Sequence, residues 1–71
     1  MKQSDQRAEE VSARVRGNVL DAAAAAGLTG ESVVQLTGCR PEALMGESDL
    51  HFEELVQIAR LVGCSPARFF D

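Results

Sequence analysis

The chain offers few side chains able to do covalent or metal chemistry: two cysteines, Cys39 and Cys64, and one histidine, His51. The cysteines share one setting, Gly38-Cys39-Arg40-Pro41 and Gly63-Cys64-Ser65-Pro66. In each, the physics is a helix stop at glycine, a small anchor to bury, an N-cap, and a proline at the first helical position, where its missing N–H costs nothing. That setting reads as packing in a reducing compartment, with a redox pair as the alternative. No Cys-x-x-Cys spacing and no clustered histidine accompany the pair, which leaves too few ligands for a structural zinc site. His51 opens a helix with no serine, cysteine or second histidine placed with it, so it reads as structural or solvent-exposed. With no glycine-rich phosphate loop and no nucleophile beside a base, the sequence points away from an enzyme and implies no cofactor and no metal. A chain of 71 residues also does not easily enclose a substrate pocket.

What remains chemically informative is charge. The net charge is −4. Residues 1–27 balance Lys2, Arg7, Arg14 and Arg16 against Asp5, Glu9, Glu10 and Asp21, whereas residues 28–50 set Arg40 alone against Glu31, Glu42, Glu47 and Asp49, a balance of −3. Nucleic-acid binders usually carry a clustered basic face, because neutralising phosphates and releasing their counterions supplies most of the affinity. This chain lacks that clustering, and its acidic middle suits a partner protein with a basic surface. Arg7, Arg14 and Arg16 fall near one side of a helix and offer a phosphate-facing stripe; Asp5, Glu9 and Glu10 between them favour a solvated face instead. The longest apolar run, Ala22 to Ala26, is five small residues, so a membrane span is excluded. The polar start, Met1 to Arg7, lacks the pattern of a secretory signal, which places the expected location in the cytoplasm.

The elements that must position these residues read as helices throughout. Ala8, Val11, Val15, Val19, Ala22 and Ala26 recur at helical spacing from Ser4 onward, Leu20 and Ala23 widen the stripe, and Gly27 with Leu28 supplies the stop. Gly17-Asn18 is the weak place: either the helix runs through it, or residues 5–16 form a separate helix. Thr29 caps a helix from Gly30 to Thr37 with Val33, Val34 and Leu36 inward. Arg40-Pro41 opens a short third element anchored by Leu44 and stopped at Gly46. Ser48 and Asp49 are the expected caps of a fourth, from about Leu50 to Val62, with Phe52, Leu55, Ile58, Ala59 and Val62 on one face. Ser65-Pro66 caps a last turn in which one of Phe69 and Phe70 faces inward. The fold class is therefore all-α, with five helices around a core of Val19, Val33, Leu36, Leu44, Phe52, Leu55, Ile58, Ala59 and Val62.

This order, with its punctuation, resembles the lambda-repressor-like helix-turn-helix family of phage repressors, Cro proteins and xenobiotic-response-element regulators. The resemblance covers about residues 17–71, leaving residues 1–16 as an N-terminal helical extension. It rests on Gly27-Leu28-Thr29 opening helix two, Val33-Val34 before the turn Gly38-Cys39-Arg40, Leu44 in helix three, and Phe52-x-x-Leu55-x-x-Ile58-Ala59-x-x-Val62-Gly63-Cys64-Ser65-Pro66 downstream. It implies a small transcriptional regulator that binds double-stranded DNA at a palindromic site as a dimer, with helix three in the major groove. The DNA-binding positions carried over are Thr29, Arg40, Glu42 and Ala43. The sequence departs from the family where bases are met: Pro41 has no side-chain donor, Gly46 no side chain, and Glu42 repels phosphate. Gly30 stands where a phosphate-contacting glutamine is frequent, and helix three with its loop is about four residues short. Those departures support the alternative, a helix-turn-helix-derived module that has lost DNA binding and docks on a basic partner protein through its acidic face. A homodimer is expected on either reading, because so small a core gains little stability alone and Ala8, Val11 and Val15 form an apolar stripe beyond the family match.

Overall fold

The computed structural model describes the backbone of residues 2–71 and the side chains of residues 10–71. Arg7 and Ala8, expected on the first helix's basic and apolar stripes, therefore have side chains outside the described residues. The described chain is all-helical: α1 (Lys2–Ala25), α2 (Gly30–Thr37), α3 (Pro41–Met45), α4 (Phe52–Val62) and a 3-10 turn at Pro66–Phe70. Four elements are α-helices, and the fifth, opened by proline after Ser65, winds more tightly as 3-10. No helix among the described residues is long and apolar enough to cross a membrane.

α1 runs unbroken through Gly17-Asn18. Gly17 has open space where a Cβ would stand, so it removes no packing and weakens the helix only through backbone entropy. Asn18 has a tertiary use: its Nδ2 donates to the carbonyls of Phe69 at 2.8 Å and Asp71 at 3.1 Å, tying α1 to the 3-10 turn. Val15, Val19 and Ala23, four residues apart, form the buried ridge of α1. They meet Val33, Cys39, Leu44, Leu55, Ile58, Ala59 and Phe69 in one core. Val15 belongs to that core although it lies in the segment expected as an extension.

The expected core needs two corrections. Leu36 is 62% exposed and Phe52 is 65% exposed. On α2 the inward sector passes through Gly30, Val33, Val34 and Thr37, and Leu36 lies roughly 100° round the helix from its middle, at about 100° per residue. Phe52 is the first residue of α4. Its side chain tilts toward the helix N-terminus, past the packed part of α4. There it edges a surface groove with Val11, Val15, Leu50, Leu55 and Phe70. Val62 is half-buried against the core, while Phe69 is buried and Phe70 exposed, dividing the adjacent pair as expected. Cys39 is a buried free thiol and Cys64 a half-buried one.

Candidate functional site

The expected contact residues lie on, or immediately before, α2 and α3. The Thr29 Oγ1 accepts from the Ser32 backbone N–H at 3.1 Å and donates to the Ser32 Oγ, so its hydroxyl closes the first turn of α2 while remaining exposed. Gly38 ends α2 at φ 73°, a left-handed conformation that favours glycine, and its N–H donates to the Val34 carbonyl. Thr37 Oγ1 donates to the Val33 carbonyl at 2.7 Å and accepts from the Cys39 N–H at 3.2 Å, which satisfies the turn locally.

Arg40 stands at the N-cap of α3 but reaches across the surface toward α4. Its Nη2 donates to Glu54 Oε1 at 2.9 Å and to the Asp49 carbonyl at 2.6 Å, and its Nη1 donates to Ser48 Oγ at 2.9 Å. Its Nε and its backbone N–H both reach Glu54 Oε2, at 3.4 and 3.0 Å. Four of the five guanidinium N–H groups are thus committed within the chain. The ion pair therefore joins Arg40 to Glu54 on α4, not to neighbouring Glu42. Glu54 Oε1 also accepts from the His51 N–H at 2.8 Å, capping α4. Hydrogen bonds from Arg40, opposed by partial burial and joined by the backbone N–H groups of His51 and Arg40, hold the Glu54 carboxyl down at about 2. The same bond to Glu54 raises the Arg40 pKa. The expected caps Ser48 and Asp49 serve Arg40 instead, and His51, with 69% of its side chain exposed, takes the N-cap position of α4.

Beyond Arg40 the helix offers little to a base edge. Pro41 is exposed and Glu42 half-buried. Ala43 is 1% exposed, so its methyl packs inside and cannot meet a thymine methyl; the expected contact there is corrected. The buried sector of α3 includes Ala43 as well as Leu44, since a five-residue helix wedged between α1 and α2 turns two adjacent residues to the core. At Gly46, expected from the resemblance as a base-facing place, α3 has already stopped, with φ 87°. A Cβ there would lie 2.8 Å from Arg16 Nη1, which shows the Arg16 guanidinium resting against the end of α3. Arg16 is half-buried while Arg14 is exposed, so the two are not equivalent members of one stripe.

Between α1, α2 and α3 lies an open apolar cleft of about 320 Å³, with Leu20, Val34, Leu44 and Met45 among its walls. Met45 is 73% exposed beside it. Among the described residues, no three His, Cys, Asp or Glu side chains gather as a metal site would require. The partnership of Arg40 with Glu54 was hidden in sequence because the two stand 14 positions apart. The one available signal was Glu three residues after an N-cap, muted because His51 rather than Ser, Thr, Asp or Asn occupies the cap. Neither a protein-family model, nor a curated protein, nor a solved structure matches the chain.

Proposed function

We propose that the chain is a protein-docking module on a helix-turn-helix frame, meeting a basic protein partner through its α2–α3 face. The observation that carries this reading is Arg40: the one cation of residues 28–50 is engaged within the chain by Glu54, Ser48 and Asp49. What the face leaves to a partner is apolar surface at Met45 and acidic groups at Glu31 and Glu42, a combination suited to a protein and unfavourable to phosphate. The dimer remains part of the reading: Val11, Phe52 and Phe70, each 47% exposed or more, converge on one groove around Val15. A protruding phenylalanine beside a groove is the self-complementary shape that a two-fold pair requires.

A second reading is supported by the three-residue turn between α2 and α3 and by Thr29 at the exposed start of α2: a dimeric, Cro-like regulator of palindromic DNA. In that reading Arg40 leaves Glu54 for a guanine, and Glu42 accepts from cytosine N4. Selection from random DNA duplexes at two salt concentrations separates the two. The docking reading expects no enriched sequence and only weak, salt-sensitive retention. An enriched palindrome whose base preference changes with Arg40→Ala or Glu42→Gln overturns it.

A further inference from the structure

Resting on the docking reading, we infer that the cleft between α1, α2 and α3 takes a large apolar side chain presented by a basic amphipathic helix of the partner. The cleft is lined by Leu20, Val34, Pro41, Leu44 and Met45, so one end of a side chain entering it loses water on several sides. Its volume of about 320 Å³ lies at the small end of ligand pockets, roughly 300–1,000 Å³, which fits one anchor better than an extended ligand. Gly30 also lines it, and a Cβ there would make ordinary van der Waals contact with Leu20 Cδ2 at 3.8 Å. Leu20 is 37% exposed and Met45 73%, leaving apolar surface on both lips to be covered by the helix that carries the anchor.

Charge selects that helix. Glu31, in the first turn of α2, lines the cleft, and Glu42 lies one turn before Met45 on α3. Arg40, the nearest cation along the chain, gives its ion pair and its hydrogen bonds to Glu54, Ser48 and Asp49, so Glu42 feels its charge only through space. Among the described residues, Arg16, one turn before Leu20 on α1, brings a second cation to the Met45 end of the cleft, where it rests on Gly46. A helix with lysine or arginine flanking the anchor on the Glu31–Glu42 side is complementary to this rim, and an acidic one is repelled there.

The test uses two synthetic helical peptides, each with one phenylalanine on its apolar face, flanked by arginines in one and by glutamates in the other. Each is titrated into the full isotope-labelled chain while amide shifts are followed. Expected are saturable shifts with the arginine peptide at residues 20, 30, 31, 34 and 45, and none with the glutamate peptide. Met45→Asp and the paired change Glu31→Lys with Glu42→Lys should each weaken binding by about tenfold or more with the dichroism spectrum unchanged. Glu31→Gln, conservative in shape, gives an intermediate loss and guards against misfolded variants. Absence of shifts, shifts centred on Phe52 and Phe70, or equal binding of both peptides overturns the inference. Shifts at the cleft on concentrating the protein alone also overturn it, by assigning the cleft to a second copy. A DNA palindrome enriched as above defeats the docking reading whatever the peptides do, so the two failures are distinguishable.

Discussion

Arg40 and Glu54 act as a clasp between the start of α3, the loop before α4 and the first turn of α4. A carboxyl held at about 2 against an ordinary 4.5 stabilises the fold when ionised. The contribution is fully present above about pH 4.5 and shrinks as the pH falls toward about 2, because in that window the unfolded chain takes up a proton that the folded carboxylate does not. Glu54→Gln should therefore melt at a lower temperature than the parent chain at pH 7, and the gap should close as the pH is lowered through that window. Thermal melts of both proteins across the range check this; a gap independent of pH would mean that the carboxylate charge is not what matters. Arg40→Ala should likewise lower the melting temperature. That separates the clasp from an exposed DNA contact, whose loss changes affinity and leaves stability alone.

At the scale of elements, two glycines have opposite roles. Gly17 sits inside α1 facing open space, so Gly17→Ala should stabilise the chain by roughly 0.5–1 kcal/mol through the backbone alone. Gly46 ends α3 with φ 87° and supports the Arg16 guanidinium. Gly46→Ala should cost roughly 1–2 kcal/mol for the left-handed backbone, and it also displaces Arg16. Urea unfolding of the two variants should move the midpoint in opposite directions. Equal shifts would remove the distinction drawn between a helix interior and a helix stop.

For the whole molecule, the core depends on parts distant in sequence. Phe69 in the 3-10 turn is 1% exposed, and α1 supplies both its packing surface and the Asn18 amide that holds its carbonyl. Phe69→Ala should cost roughly 3–5 kcal/mol, a large part of the stability of any small domain, and denaturant unfolding should show a marginal fold. The Val11, Phe52 and Phe70 groove carries the expected association. Light scattering at tens of micromolar should give about twice the 7.6 kDa chain mass, and Phe52→Glu should return a monomer without loss of helicity. A parent chain already monomeric there would remove the dimer from the proposed function.

Helix positions and their stops were legible in the residues themselves, because each rests on local physics. Apolar spacing marked α1 and α4, and glycine marked the left-handed ends at Gly27, Gly38, Gly46 and Gly63. Thr29 and Ser65 were legible as caps for the same reason. Of the candidate DNA contacts, the sequence placed Thr29, Arg40, Glu42 and Ala43 on or beside α2 and α3, but which of them face outward was settled by packing. Ala43 is turned inward by the shortness of α3, Leu36 is left exposed because it lies off the inward sector of α2, and Phe52 because it is the first residue of α4. Arg40 was in view as a DNA contact implied by the resemblance, and its partner Glu54 on α4 came within reach only once the chain folded back on itself. Local periodicity determines which residues share a face; which face meets another element depends on contacts between residues far apart in the chain, and those belong to the tertiary structure.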